Sequence, residues 1–479
     1  MHPSPQNSVA AVELAGANKE PATAEPLLAQ SGSGNAPPPE YYAVFVPFEE
    51  VRSDRPRKGR RRRLWYLVAC VLFLLIFLRP IIHIIAYIFV KITTPPWAPY
   101  SDPWHLHEPV GDVAECADIV TWTIDANAGR AEWPLHAKTS LVFPVDAEEL
   151  FFLSRGAFAH GTFEVIQFDE VGHDAIVDVD VWYKTDKALA GATVCTLRPS
   201  EDKYGLGIFT SPWDHPSRDS KLHFHVRLRL PSSGSRVPLE INKLSTNLPL
   251  FSHHLPVLAD TAFFKSLDLR STNAPMRADS LSAGSAALQA MNGKIEGTFA
   301  ASTSLDLITE NAPIHAQVSL VNKDETKGTA LRMDTKNGEI RANIGLHVPH
   351  KSEPSGGGFR VGAMTYDAPV DITFTHAPPN SVLNASAVSS NAQVKVTAHA
   401  AFEGTFDVRS SWYTPPTLLR NRTVEDPLGW GRHREVQLDP FRTKKGTIHG
   451  KAVWKPEHPQ AKNGHINVET RNARGVLVV

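Results

Sequence analysis

Two aspartates at equivalent places in a repeated sequence pattern are the first candidates for catalysis. Asp268 and Asp306 each lie five residues before the asparagine of that pattern. Two carboxylates can cleave a glycosidic bond, one acting as an acid and the other as a base or a nucleophile. The same spacing also produces a solvated polar row in a stack of repeats. We predict the polar row and keep a solenoid carbohydrate-active enzyme as the alternative function.

Residue types that bind metals occur in two short groups. His105, His107 and Glu108 lie in a proline-rich segment, and no further ligand follows at a spacing typical of zinc sites. His223 and His225 share one face of a predicted strand, but two arginines continue that face. We interpret the first group as a solvated linker and the second as an exposed polar face. No cofactor is predicted, because no phosphate-binding loop or nucleophile elbow stands out either.

Aromatic side chains late in the chain offer a surface on which a sugar ring could stack, because aromatic rings present flat apolar faces. The residues are Trp412, Tyr413, Trp430 and Trp454. Packing in the core of an irregular domain is the alternative interpretation.

Charge is localised rather than general. The 479 residues carry a net charge of −1, which does not favour a nucleic acid partner. Residues 52–63, however, hold eight Lys or Arg against one Asp. Because this run precedes an apolar segment, we predict that residues 55–63 contact anionic lipid head groups.

The apolar segment is long enough to cross a bilayer. Residues 64–85 are predicted to form one transmembrane helix, since about 20 apolar residues at ~1.5 Å each span the hydrocarbon core. Apolar character continues to about residue 92. Basic residues crowd only the N-terminal side, so the N-terminus is predicted to be cytoplasmic and the rest extracellular or lumenal. The membrane is the plasma membrane or one of the secretory pathway or vacuole.

The segments on either side of this span have no apolar periodicity. Residues 1–63 are predicted to be a disordered cytoplasmic tail. Within it, Pro38, Pro39 and Tyr41 match the Pro-Pro-x-Tyr form that WW domains bind. Such ligands recruit ubiquitin ligases, so a trafficking adaptor is another alternative function. Residues 93–112 are predicted to be a stalk rich in proline and aromatic residues.

Two features agree with a lumenal position for the rest of the chain. Cys116 and Cys195 are candidates for a disulfide, which an oxidising compartment permits. Asn384 and Asn421 begin glycosylation sequons, which are used only on the lumenal side.

Residues 113–479 are predicted to be mainly β. In LHFHVRLRL (222–230), apolar and polar residues alternate, which indicates a half-buried strand. Residues 175–185 and 161–168 show the same alternation. We divide this part into a β-rich region, 113–235, and a repeat-containing region, 236–479.

The repeats align on an asparagine or aspartate followed by Ala or Gly, with an apolar residue three positions later. These predicted corner residues are Asn273, Asn292, Asn311, Asn337, Asp367 and Asn391. LSTNLPL (244–250) is interpreted as a degenerate first copy, centred on Asn247. TRNARGVLVV (470–479) is interpreted as a last copy with one extra residue, and 410–445 as a non-repeating insertion.

Repeats of this length favour a β-solenoid, in which each unit is a strand, a corner and a second strand. An antiparallel sandwich or meander of hairpins is the alternative. Three of the corners read Asn-Ala-Pro or Asp-Ala-Pro. An alanine before proline disfavours the left-handed conformation that a type I′ hairpin turn needs, which favours the solenoid.

Tandem units of a strand followed by Ser/Thr-x-Asn-Gly/Ala-x-Ile/Val resemble the β-solenoid domains of proposed adhesins. With a basic tail and one span, the organisation resembles that of fungal single-pass membrane proteins of uncharacterised function. The resemblance covers about 240–400. It implies a membrane-anchored, non-enzymatic protein with a binding, adhesive or structural role at a surface, and a glycan or a surface protein as its ligand.

Overall fold

The computed structural model describes residues 116–210, 218–324, 326–349, 356–411, 413–421, 424–457 and 463–479. All belong to one compact unit, Leu106–Val479. The predicted tail, the span at 64–85 and the stalk lie outside the described residues. Within the described ranges, no helix has both the length and the apolar character needed to cross a bilayer.

The described chain is mainly β, as predicted. Its helical elements are one short helix, α1 (Asp186–Ala190), and one 3₁₀ turn, Arg218–Ser220. The strands, in chain order, are β1 (Asp118–Ile119), β2 (Thr123–Ile124), β3 (Leu135–Pro144), β4 (Glu149–Arg155), β5 (Ala159–Val171), β6 (Asp174–Tyr183), β7 (Ala192–Ser200), β8 (Lys203–Thr210), β9 (Leu222–Ser232), β10 (Leu239–Asn247), β11 (Phe251–Val257), β12 (Ala262–Ser271), β13 (Met276–Ala290), β14 (Ile295–Thr309), β15 (Ile314–Val321), β16 (Thr329–Asp334), β17 (Ile340–His347), β18 (Gly358–Thr365), β19 (Val370–His376), β20 (Val382–Ser389), β21 (Val394–Thr397), β22 (Gly404–Arg409), β23 (Thr417–Leu419), β24 (His433–Leu438), β25 (Thr447–Lys455), β26 (Gly464–Thr470) and β27 (Gly475–Val478).

The first strands pair mostly antiparallel. β6 lies between β3 and β9, and β7 lies between β1 and β8. The alternating strand predicted at 222–230 is β9, whose apolar face from Leu222 to Leu230 is at most 1% exposed. Its polar face points outward, as expected for a strand with one buried side.

From β4 onward, parallel pairing builds two ladders. The first ladder runs in the spatial order β8, β4, β10, β12, β13, β14, β16, β18, β20, β26, β22. The second runs in the order β9, β5, β11, β13, β14, β15, β17, β19, β21, β27, β23. The long strands β13 and β14 contribute to both. Each repeat therefore gives one strand to each ladder and stacks on its neighbours.

The repeated apolar residues form the core between the ladders. In each repeat, the residue that follows the corner residue by three positions lies opposite its equivalents on the neighbouring strands. These residues are at most 1% exposed: Met276, Ile295, Ile314, Ile340, Val370 and Val394. Full burial of such a side chain is worth about 1.5–3 kcal/mol. The constant spacing of three residues between the corner residue and the apolar residue is thus set by the need to stack these side chains.

The corner residues themselves form a column of side-chain hydrogen bonds. Asn292 donates to Asn273 at 2.7 Å, Asn311 to Asn292 at 2.6 Å, and Asn337 to Asn311 at 2.6 Å. Asn391 donates to Asp367 at 2.5 Å. Stacked amides of this kind satisfy each other's donors and acceptors along a parallel ladder.

A buried hydroxyl lies two residues before most corner residues, which explains the Ser/Thr of the motif. Thr309, Thr335 and Thr365 are at most 4% exposed. Each donates to a carbonyl of the preceding rung, for example Thr309 Oγ1 to the carbonyl of Gly293 at 3.3 Å. These bonds satisfy backbone acceptors that the turn would otherwise leave unpaired.

The prediction that Asn247 begins the series is wrong by three residues. Asn247 lies opposite Arg270, within the β10–β12 pair. The carbonyl of Pro249 accepts the N–H groups of the next corner, as the carbonyl of Met291 does two rungs later. Leu250 therefore occupies the corner position of this rung, and the asparagine column starts at Asn273.

The last copy is inserted between earlier ones. β26 lies between β20 and β22, and β27 lies between β21 and β23. Asn472 donates to Asn391 at 2.6 Å, which extends the column. Gly475 lies opposite Val394, so this copy has the ordinary spacing and not the extra residue that the sequence indicated. The predicted insertion at 410–445 contains β23 and β24.

Candidate ligand-binding groove

A row of charged side chains follows the outer face of the second ladder. Each member comes directly after a buried residue of the core, and the members lie opposite one another on successive strands: His254, Arg277, Glu296, His315, Arg341, Asp371 and Lys395. Where two permanently charged members are neighbours they are opposite in sign, as in Arg277 with Glu296 and Asp371 with Lys395, so these strands attract each other.

Aspartate 279 is the acceptor at one end of this row. Arg277 Nε donates to it at 2.8 Å, and a nitrogen of His254 lies 3.3 Å from its other oxygen. The Arg277 hydrogen bond lowers the pKa of Asp279 and raises that of Arg277. Both groups therefore remain charged near neutral pH.

Glutamates 296 and 339 connect the next strands. Glu296 contacts Lys294, which lowers the pKa of Glu296, and lies 4.0 Å from Arg277. Glu339 accepts from His315 at 2.6 Å through one oxygen and lies 3.4 Å from Arg341 through the other. The ion pairs of the row fall into groups, with Asp279 and Glu296 at Arg277, Glu339 at Arg341, and Asp371 at Lys395.

A groove of about 390 Å³ lies beside this row and crosses β13, β14, β15 and β17. Its lining includes Arg277, Glu296, His315, Arg341 and small residues between them. Gly297 in the floor is required by packing, because a β carbon there would lie 2.1 Å from the carbonyl oxygen of Ala278. The groove is open to solvent and polar, and it extends across four neighbouring strands.

Neutral polar side chains complete the groove. Thr298, Gln317 and Asn343 lie opposite one another on β14, β15 and β17. Gln317 and Asn343 are exposed, and neither side-chain amide hydrogen-bonds to another side chain or backbone group of the described residues. This differs from the corner column, where the amides bond to one another. The groove therefore offers two amides whose donors and acceptors are available to a ligand.

The two candidate catalytic aspartates do not lie in this groove. Asp268 and Asp306 are on the first ladder, with Ala287 of β13 between them. Two strand spacings separate them, which corresponds to about 9.5 Å. Asp268 accepts from Arg270 at 2.7 Å, and burial raises the pKa of Asp306.

The other candidate residues are dispersed. His223 and His225 do not converge, since His225 lies 3.2 Å from Glu164 while His223 contacts the ring of His160. In the described ranges, no three His, Cys, Asp or Glu side chains are arranged to hold a metal. His105, His107 and Glu108 lie outside those ranges.

The predicted aromatic surface is not formed as a unit. Trp454 is 1% exposed, and its indole N–H donates to the carbonyl of Ala400 at 3.1 Å. The guanidinium groups of Arg432 and Arg434 cover its ring. Trp430 and Tyr413 are exposed, and Trp412 lies outside the described residues. Core packing is thus the correct interpretation for Trp454.

The candidates for a disulfide and for glycosylation lie in the described part of the chain. Cys116 and Cys195 are joined by a disulfide that links the residues before β1 to β7. Asn384 is exposed in β20, and Asn421 is exposed after β23. Pro38, Pro39, Tyr41 and residues 55–63 lie outside the described residues.

The sequence did not indicate the groove. Its residues lie four to six positions after the corner residues of four successive repeats, but they differ in type, because they face outward where the core imposes no pattern. The register of the strands brings them together.

No protein-family model matches the chain, and no curated protein matches it. Among solved structures, the chain is similar to a proposed adhesin from Bacteroides fragilis, with 13% identity over 54% of this chain and 96% of that chain and a TM-score of 0.28. It is also similar to a proposed adhesin from Parabacteroides merdae, with 12% identity over 54% of this chain and 88% of that chain and a TM-score of 0.27. Because these TM-scores are low, the likeness assigns neither a ligand nor an activity to this chain.

Proposed function

We propose that this protein is a membrane-anchored, non-enzymatic β-solenoid that binds a saccharide chain in the groove across β13, β14, β15 and β17. The observation that carries the proposal is the pair of exposed amides, Gln317 and Asn343, set between charged side chains on a rigid sheet. The anchor in this proposal is the predicted span at 64–85, and the groove then lies outside the cell or in a lumen.

A saccharide fits the groove because of its hydrogen-bonding chemistry. Sugar hydroxyls both donate and accept, and a side-chain amide does the same with the two N–H donors of its NH₂ group and one carbonyl. Arg341 and Glu296 add planar charged groups of opposite sign beside the amides. The exposed row lacks the large apolar side chains that dominate the centre of most protein–protein interfaces.

A binding function also suits the state of the charged groups. Arg277 is bonded to Asp279, and Arg341 lies 3.4 Å from Glu339, so the arginines of the groove are paired with carboxylates. Catalysis usually uses groups whose pKa values are shifted towards neutrality, whereas the Asp279 pKa is shifted away from it.

The solenoid arrangement supports such a surface. The two parallel ladders and the asparagine column repeat the same backbone at each rung, so outward side chains are held at regular spacing. Binding residues that are already in place lose little entropy when a ligand arrives.

The test is a glycan-array measurement with the full-length protein in lipid nanodiscs. We expect binding to a restricted set of glycans, and about three- to tenfold weaker binding for Gln317→Ala and for Asn343→Ala, because each loses a hydrogen bond worth about 0.5–1.5 kcal/mol. Thr397→Ala is the matched control, since Thr397 occupies the same position on β21, beyond the groove. Equal binding by all three variants would refute the groove assignment.

A further inference from the structure

We propose that a second site, the cavity beside Trp133, binds one ring of a neutral saccharide. The cavity has a volume of about 540 Å³ and is bordered by residues 131–134, by Lys184 after β6 and by Lys221 before β9. This inference rests on the proposed saccharide binding and adds a subsite where a sugar ring stacks on an indole. None of the residues that border the cavity belongs to the groove.

Trp133 is held in place by the backbone and by neighbouring rings. Its backbone exchanges two hydrogen bonds with Arg130, of 2.7 and 2.9 Å. Its ring centroid lies 5.9 Å from that of His160 and 6.2 Å from that of His223. A fixed indole offers a flat apolar surface to the C–H face of a sugar ring, with little entropy left to lose on binding.

The wall behind Trp133 is continuous across four strands. His136, Trp182, His223 and His160 lie opposite one another on β3, β6, β9 and β5. The guanidinium of Arg130 lies 3.7 Å from the Trp182 ring centroid. Burial lowers the pKa of both His160 and His223, so these two rings are neutral near pH 7.

Three polar groups of the residues that line the cavity have no hydrogen-bond or ion-pair partner in the ranges that the structure describes. The indole N–H of Trp182 donates to the carbonyl of Ala128 at 3.0 Å, whereas that of Trp133 has no acceptor within the described ranges. Among the described residues, neither Glu132 nor Lys221 has an ion-pair partner, and both line the cavity. Within the part of the chain that the structure describes, the cavity lining thus includes an indole N–H, an ammonium and a carboxylate with no protein partner.

These groups select the class of ligand. Two donors and one acceptor match the hydroxyls of a saccharide, and the indole matches its apolar face. Lys184 is 3.9 Å from Asp219, so its charge is partly offset. The remaining charges of Glu132 and Lys221 are opposite in sign, which favours a neutral sugar over an anionic one.

The experiment uses the full chain in nanodiscs and saturation-transfer NMR with neutral trisaccharides of glucose, mannose, galactose and N-acetylglucosamine. We expect transfer to the C–H protons of one ring face, and about tenfold weaker binding for Trp133→Ala, since an aromatic contact is worth up to about 1.5 kcal/mol. Glu132→Gln and Lys221→Met leave the indole in place and are each expected to weaken binding severalfold. Trp430→Ala, which removes another exposed indole, is the control.

The outcomes separate this inference from the groove assignment. If Gln317→Ala weakens binding and the Trp133, Glu132 and Lys221 variants do not, the inference is wrong and the groove stands. If only the cavity variants weaken binding, the inference stands and the groove assignment fails. Absence of transfer from every trisaccharide, or equal transfer to a sulfated analogue, would overturn the neutral-saccharide subsite.

Discussion

Asp367 accepts a side-chain hydrogen bond of 2.5 Å from Asn391, but its carboxylate has no N–H to donate to Asn337. Every other bond of the corner column runs from an amide donor to the residue one rung earlier. The ionised aspartate therefore interrupts the column, because it can accept from the next rung and cannot donate to the preceding one.

Asp367→Asn is expected to complete the column. The new amide would donate to the Asn337 side chain and still accept from Asn391, and it would remove an exposed charge. We expect the free energy of unfolding to rise by about 0.5–1.5 kcal/mol, measured by urea unfolding followed by circular dichroism. Asp371→Asn is the control, since it loses only an exposed ion pair with Lys395 at 3.6 Å. A less stable Asp367→Asn variant would contradict this account.

The corner column could be predicted from the sequence because every rung imposes the same requirement. Asn292 and Asn311 each need a partner on the rung before and after, and the residue three positions later must fill the core. The same residue types therefore recur at the same spacing. Leu250 breaks the pattern, so alignment on the nearest asparagine selected Asn247 and missed the register by three residues.

The spatial order of the last repeat could not be predicted. In the sequence, 464–478 follows β22 and β23, whereas in space it lies between them and the repeat of β20 and β21. Strand order depends on pairing between distant segments, which local patterns do not record. The groove is hidden for a related reason: Gln317 and Asn343 meet through register, and the core does not restrict outward positions.

His253 is expected to make stability depend on pH. It is 1% exposed, bonded through one ring nitrogen to Thr246 at 2.7 Å and through the other to the carbonyl of Phe251 at 3.1 Å. Burial lowers its pKa from 6.5 to about 4. Between these values the unfolded chain binds more protons than the folded chain, so stability falls as pH falls through this window.

The expected loss from this histidine between pH 7 and pH 5 is about 2 kcal/mol. Urea unfolding at the two pH values measures it, and His253→Gln should remove that part of the pH dependence. His433→Gln, which changes an exposed histidine on β24, should leave it unchanged. An unaltered slope in His253→Gln would show that other groups cause the dependence.

The ion pair between Asp426 and Arg432 is expected to contribute to the free energy of unfolding. Their side chains are 4% and 3% exposed, and Arg432 donates to Asp426 at 2.8 Å and to Glu403 at 3.4 Å. The Arg432 hydrogen bond holds the pKa of Asp426 far below its usual range. Asp426→Asn keeps the shape and leaves a buried guanidinium undercompensated, so we expect a loss of about 3–5 kcal/mol.

Unfolding in urea, followed by tryptophan fluorescence, tests this contribution, because Trp430 and Trp454 lie beside Arg432. Glu425→Gln changes the neighbouring exposed carboxylate and is expected to cost little. A loss below about 1 kcal/mol for Asp426→Asn would mean that the pair behaves like a surface salt bridge.

The disulfide between Cys116 and Cys195 tests the proposed topology and the stability of the first strands together. It closes a loop with a sequence separation of 79 and lies against Leu153 and Leu197. Removing it with Cys195→Ala is expected to cost about 2–4 kcal/mol, because the unfolded chain regains loop entropy. Cys70→Ala, which changes the third cysteine of the sequence, within the predicted span, is the control. In protein from cell membranes, Cys116 and Cys195 should resist alkylation until their disulfide is reduced, since disulfides persist only in an oxidising compartment. Immediate alkylation of Cys116 and Cys195 in the folded protein would place this part of the chain on the reducing side of the membrane.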